Sequence, residues 1–381
     1  MSVIFSTENA IILDHEAWIS KTYKDYLTSQ VKDSKTISHG RNFEHLFNLR
    51  SPFMMDGHAE KIAKRMTENL NCSLPPKKKR RKKGTSNMQN ARECTELFHV
   101  MEVFAILRDT FAFKTHFNHI ASPEDYRNNN RLIRDVRKRF TEISLDNLQV
   151  SVNGSTKDKC EFVSLNGRTY ILPPDSDYIC DDVADILTHT SGRKYDVILM
   201  DPPWQNKYVH RRNKNHGKHH GYETMNVSDI LKIPVPELLS YDGLLVVWCT
   251  NNENHLRELM EGLRNWHVHV IATWYWIKVT KAGEPVTSLS SASYGKRSYE
   301  RILLARRDGQ RNHNVIIPDG LLLCSIPSGI HSHKPPLADV LQAFQVPQSS
   351  CLELFARSLV PGWTCYGLEV LKLQDSFLFS A

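Results

Sequence analysis

The 381-residue sequence predicts an α/β protein whose second half is a doubly wound, mostly parallel sheet. Three observations predict it. Short unbroken apolar runs such as D-V-I-L-M and L-L-V-V-W suit strands buried on both faces. These runs alternate with segments whose apolar residues recur at helical spacing. The stretch Y-D-V-I-L-M-D-P-P-W-Q-N, Tyr195 to Asn206, passes straight from such a run into an acid, two prolines and a tryptophan. Doubly wound sheets bind ligands at that end of a strand.

Composition sets the frame. The length suits two or three domains, and 40% apolar with 24% charged residues is ordinary for a globular chain. No run of eighteen apolar residues occurs, so no membrane span is expected, and the N-terminus lacks a secretory pattern. The eight cysteines have no C-x-x-C spacing, which points to a reducing compartment. The net charge of +7 is concentrated at K-K-K-R-R-K-K, Lys77 to Lys83, after Pro75-Pro76. Such a run stays extended and solvated. It reads as a signal for a nuclear import receptor, and hence a nuclear protein, or as a plain basic arm.

Four regions follow in order. Residues 1–92 form an N-terminal segment: I-I-L-D-H-E-A-W-I suits a short strand and helix, and 50–92 reads as loop with the basic linker. Residues 93–147 are helical, with Leu97, Val100, Met101, Phe104 and Leu107 at 3–4 spacing. A second helix starts at Ser122-Pro123, placing Leu132, Ile133, Val136 and Phe140 on one side. Arg127, Arg131, Arg134 and Lys138 lie opposite, as a solvated face or a phosphate-facing one. Residues 148–174 form a small β subdomain with Asn-Gly turns expected at 153–154 and 166–167. Residues 175–381 carry the α/β pattern, with strands expected at 195–200, 244–249, 268–279, 299–305, 351–355 and 363–371. Helices are expected near 227–240, 252–264 and 335–345.

D-P-P-W suits one chemistry well. The exocyclic amine of adenine shares its lone pair with the ring and is a poor nucleophile. Two acceptors holding its N–H bonds draw the nitrogen toward tetrahedral geometry and aim the lone pair at an electrophile. The Asp201 carboxylate is one acceptor, and the carbonyl of Pro202 or Pro203 a second. The prolines stiffen the loop, and Trp204 offers the base a stacking surface. The bland alternative is a rigid turn with its tryptophan in the core.

Further segments strengthen the chemical reading. They are Y-E-T-M (Tyr222 to Met225), L-L-V-V-W-C-T, W-Y-W-I-K, H-S-H-K-P (His331 to Pro335), and L-E-L-F-A-R (Leu352 to Arg357) with Trp363 and Gly367. Together with D-P-P-W they resemble the D-P-P-W family of S-adenosylmethionine-dependent adenine-N6 methyltransferases, in its methyltransferase-like four branch. The resemblance covers about Tyr178 to Leu373. It implies a Rossmann-like methyltransferase domain with the catalytic motif before the cofactor motif.

It also implies residue roles. Asp201 accepts from the target amine and lies near the cofactor amine; Pro202 and Pro203 present the carbonyl. Trp204 and Tyr222 flank the base, Lys334 pairs with the cofactor carboxylate, and Arg357 and Glu369 meet the ribose or tail. Cys180, Asp182 and Val183 line the cofactor adenine, partly through backbone. Leu359, Val360 and Leu368 stand where the messenger-RNA enzymes of the family have polar cofactor contacts.

Residues 207–220 hold five Lys/Arg, four His and no acid. Lys207, Arg211, Arg212 and Lys214 read as a cationic lid over a nucleic-acid backbone, joined by Arg131 and Arg134. His216, His219 and His220 are badly spaced for a metal, so none is expected. The resemblance implies RNA, with spliceosomal U2 small nuclear RNA as the substrate class and a 2′-O-methyladenosine target compatible with it. DNA, and a non-catalytic nucleic-acid-binding partner, are the alternatives. No obligatory protein partner is expected.

Overall fold

The computed structural model describes residues 2–24, 43–53, 87–141, 143, 152–190, 192–205, 224–287, 289, 297–309, 315–330 and 333–379. Thirteen strands occur among them: β1 (Val3–Ser6), β2 (Ala10–Leu13), β3 (Val152–Ser155), β4 (Glu161–Leu165), β5 (Arg168–Leu172), β6 (Asp177–Cys180), β7 (Tyr195–Met200), β8 (Leu239–Cys249), β9 (Val268–Lys278), β10 (Tyr299–Arg307), β11 (Leu322–Ser325), β12 (Cys351–Leu354) and β13 (Thr364–Tyr366). Eleven make one sheet in the order β1-β2-β11-β9-β10-β8-β7-β12-β13-β6-β3, and β4-β5 pair separately. β6, β13, β12, β7 and β8 run parallel, while β10 runs antiparallel to both β8 and β9.

The apolar runs behave as a two-sided strand requires, with alternate residues entering opposite cores. Val197 and Leu199 of β7 join Leu244, Val246 and Trp248 of β8 on one face. Ile198 and Met200 join Leu245, Val247 and Cys249 on the other. The helix Glu253–Asn265, capped by Asn252, covers the second face through Leu256, Leu259 and Leu263. The helix Ala338–Ala343 covers the first through Val340 and Leu341.

β7 and β12 are neighbours, yet the chain leaves β7 toward β8 on one side and β12 toward β13 on the other. The crevice between their carboxyl ends is therefore the sheet's topological switch point. Asp201 follows β7 there, and Phe355 to Arg357 follow β12.

Differences from the sequence reading have physical causes. Asn166 and Gly167 have φ of 50° and 75° and turn the β4-β5 hairpin as expected. Asn153-Gly154 is not a turn but lies inside β3, paired with β6. A Cβ on Gly154 would stand 2.4 Å from the Tyr178 ring, so glycine serves a close crossing there. Met101 and Leu132 are exposed, whereas Val100, Phe104, Leu107, Ile133 and Phe140 are buried. The expected helix near 227–240 is two short ones, Val227–Ile230 and Val235–Leu238, separated by a turn at Leu231-Lys232. The strand expected over 363–371 is only Thr364–Tyr366. β6 and β11, four residues each, were too short to show a period. The strand-helix reading of the N-terminus holds: β2 precedes the helix His15–Thr22, whose cap is Asp14. β2 pairs with β11, joining the N-terminus to the same sheet. The basic run Lys77 to Lys83 lies outside the described residues. No helix among the described residues is long and apolar enough to cross a membrane.

The helix Asn87–Asp109 is tied to this sheet by charge as well as packing. Arg301 of β10, fully buried, donates to Glu96 at 2.6 Å and to Glu253 at 3.1 Å. Replacing Arg301 by Ala removes the buried cation that Glu96 and Glu253 share and leaves Arg297 3.9 Å from Glu96. The expected loss is about 3–5 kcal/mol of unfolding free energy. Urea denaturation measures it, and a loss under about 1 kcal/mol contradicts the assignment.

Candidate active site at the sheet's switch point

The D-P-P-W loop is rigid for reasons visible in its hydrogen bonds. The Trp204 N–H donates to the Pro202 carbonyl at 2.8 Å, and the Met225 N–H donates to the Pro203 carbonyl at 2.8 Å. Trp204 and Met225 thereby form a parallel bridge that ties the loop to the start of the next segment. The indole Nε1–H donates to the Trp248 carbonyl at 3.0 Å, fixing the ring over the end of β8. Each proline carbonyl has used one of its two lone pairs and keeps one for a ligand.

Asp201 opens onto a cleft lined also by Lys334, Glu353, Phe355, Arg357 and Trp248. Its carboxyl is held above the ordinary range because burial outweighs the Lys334 ammonium 3.5 Å away. Lys334 is also bonded to Glu300, and Glu300 in turn to Lys278. The result is an alternating row, Asp201–Lys334–Glu300–Lys278. Burial works against the Lys334 charge, but Asp201 and Glu300 outweigh it and leave its pKa raised. Burial likewise opposes ionisation of Glu300, yet the two lysines hold it well below the usual carboxylate range. Lys334 lies 4.8 Å over the Trp248 ring and Lys278 4.6 Å over Trp276, and the two indoles meet edge to face at 5.6 Å.

The opposite wall has its own ion cluster. Arg357 donates to Glu369 at 2.8 Å, and Lys372 binds the other oxygen of the same carboxylate. Burial would raise the Glu369 pKa, but these two cations lower it. Arg357 and Glu369, 12 positions apart, meet where the backbone at Gly367 passes close to Ala356; a Cβ there would stand a tight 3.1 Å from the Ala356 nitrogen.

Cys180 is buried beside the Leu368 carbonyl, 3.6 Å from its Sγ. Asp182 caps Ala184, while its own carbonyl accepts from the Tyr366 hydroxyl at 2.8 Å. The Val183 side chain points into the core, so only its backbone can meet a ligand. Leu359 and Val360 are buried, and Leu368 is exposed. Arg131 and Arg134 are exposed on the helix Pro123–Thr141, where they bond Asn128 and the Asn130 carbonyl. Tyr222, Lys207, Arg211, Arg212 and Lys214, with His216, His219 and His220, lie outside the described residues. Trp248, Trp274 and Trp276 are core residues.

Several site residues escaped the sequence reading. Glu353 is an acid inside the apolar run C-L-E-L, a signal that was available. Glu300 sits in Y-E-R-I-L-L and gave no such contrast. His15 and Trp18 reach the cleft from the N-terminal helix, more than 180 positions away, and no local pattern could place them there. Among the described residues no cluster of His, Cys, Asp and Glu is arranged to hold a metal.

Residues 195–369 match the MT-A70 family. The chain is 42% identical over 244 residues to the human N(6)-adenine-specific methyltransferase METTL4, covering 61% of this chain and 49% of that protein. It is 29% identical over 391 residues to a Caenorhabditis elegans DNA N6-methyl methyltransferase, covering 97% of both. It is 30% identical over 217 residues to the N6-methyladenosine RNA methyltransferase MTA1 of Pyricularia oryzae, covering 54% of this chain and 55% of that one. The chain thus spans about half the length of the human relative.

Glu353 gives the site a pH signature. Burial, and then Asp201, push its carboxyl up to about 8, from about 4.3 for a free glutamate. The native state therefore holds this proton to higher pH than the unfolded chain does, and stability falls as pH rises across that window. The melting temperature is expected to drop between pH 5 and pH 8. In Glu353→Gln that segment flattens; superimposable curves for the two proteins contradict the shift.

Proposed function

We propose that this chain, whose residues 195–369 match the MT-A70 family, transfers a methyl group from S-adenosylmethionine to N6 of adenosine in RNA. The observation that carries the reading is the Asp201 carboxyl at the switch point, beside a fixed Trp204 and above a cleft with an unpaired second carboxyl. The cleft fits the cofactor's chemistry. Asp201 and Glu353 suit a sulfonium and an ammonium, and Lys334 suits a carboxylate. Arg357 and Glu369, at the other wall, suit ribose hydroxyls.

S-adenosylmethionine supplies a methyl already activated by its sulfonium, so the chain's residues need only position and deprotonate. Asp201 and the remaining lone pair of a proline carbonyl hold the two N6–H bonds. The raised pKa of Asp201 lets its carboxylate take the proton released as the N–C bond forms and the C–S bond breaks. Trp204, unable to swing, sets the plane of the base, which must be single-stranded or flipped to enter. Arg131 and Arg134, with Lys207, Arg211, Arg212 and Lys214, supply phosphate contacts. The substrate class is a small nuclear RNA such as U2, consistent with nuclear import through Lys77 to Lys83. The name of the Caenorhabditis elegans relative favours DNA as the second reading.

The test is transfer of labelled methyl to matched RNA and DNA oligonucleotides bearing one adenine. RNA is expected to be labelled in preference to DNA. Asp201→Ala should lower the rate at least about a hundredfold while leaving the fold intact. Equal labelling by that variant defeats the mechanism, and label on DNA alone reverses the substrate.

A further inference from the structure

Part of the cleft comes from outside residues 195–369, the stretch that matches the family. His15, the first residue of the helix His15–Thr22, lines it together with Trp18. His15 is only 3% exposed. Two rings hold its imidazole edge to face, Phe47 at 4.9 Å and His333 at 4.4 Å between centroids. His333 also lines the cleft and directly precedes Lys334. That contact puts His15 at the Lys334 end of the cleft.

So deep a polar side chain normally has a partner. His15 has none among the described residues: Nδ1 is enclosed and unpaired, and Nε2, which is not sealed in, makes no hydrogen bond. A second pocket borders His15 and is rich in acids, Asp14, Glu16 and Glu44, yet none of them bonds the ring. Burial first, and then His333, hold the His15 pKa well below the ordinary range. The ring is therefore a neutral imidazole with one N–H to give. On the cleft side stands Lys334, whose ammonium has three N–H bonds and already faces Asp201 and Glu300. A ligand carboxylate drawn to Lys334 also meets the Asp201 and Glu353 carboxyls in the same cleft, so it needs a further donor.

We propose that His15 is a cofactor-binding residue whose imidazole N–H donates to the carboxylate of the S-adenosylmethionine amino-acid tail, beside the Lys334 ammonium. This deepens the proposed function and rests on it. The N-terminal helix is then part of the cofactor site, and its contribution is read by the tail carboxylate alone.

The experiment titrates the full chain by calorimetry with S-adenosylmethionine and with its decarboxylated analogue, which keeps the sulfonium and the ammonium. His15→Phe preserves a ring against Phe47 and His333 but has no N–H. It should weaken S-adenosylmethionine binding about tenfold, as loss of one hydrogen bond to a charged group does. Its affinity for the decarboxylated analogue should stay within about threefold of the wild type. His15→Gln returns an N–H donor and should bind both ligands within about threefold of the wild type. Unchanged binding of S-adenosylmethionine by His15→Phe overturns the proposal. Equal losses for the two ligands also overturn it, since they mark a packing role. So does a His15→Gln variant that loses as much affinity for S-adenosylmethionine as His15→Phe. If the wild type binds neither ligand, the methyltransferase reading itself fails, which is a distinct result.

Discussion

Two parallel strands that lie side by side but send the chain in opposite directions leave a crevice between their carboxyl ends. β7 and β12 are those strands, and everything chemical in this molecule gathers at their carboxyl ends. Asp201, Glu353 and Arg357 all come from them or from the residues just beyond. The strands can stand there only because their residues alternate between two apolar cores, which fixes register to the residue. A slip of one position would turn Leu199 and Glu353 to the wrong faces together. The site is therefore as well defined as the packing beneath it.

Charge is arranged to match. Four ionised groups in a row, Asp201, Lys334, Glu300 and Lys278, would be costly to bury separately. Alternation lets each interior member meet an opposite charge on two sides, and the indoles of Trp248 and Trp276 lie under the cations. Glu353 stands outside this arrangement. It shares the cleft with Asp201 but forms no ion pair among the described residues, and burial raises its pKa. A cationic ligand would change that balance, while the compensated row would be little affected.

Much of this was legible in the residues. The strand at 195–200, the acid and prolines that end it, and the alternation of strands with helices all follow from local pattern. Short strands were not legible: β6 and β11 have four residues, fewer than a period needs to declare itself. Gly154 misled because the same Asn-Gly pair can serve a turn or a close crossing, and only the Tyr178 ring decides. The pairing of Arg357 with Glu369 could be guessed as proximity but not as an ion pair. His15 and Trp18 reached the cleft by a route of long-range sheet pairing, β2 against β11, that no window of sequence contains.

The order of strands along the chain differs from their order in the sheet, and synthesis has to contend with that. β6 ends at Cys180 and β7 begins at Tyr195, close together in the chain, yet β13 and β12 must come to lie between them. Those two strands are encoded at 351–366, some 150 positions later. A growing chain makes its early segments first and leaves unpaired strand edges exposed to other chains. Until residue 354 clears the ribosome, Val197 to Met200 have a vacant neighbour on the side where β12 belongs. The cleft cannot exist on a nascent fragment, and the half-built sheet is the species a chaperone would have to shield.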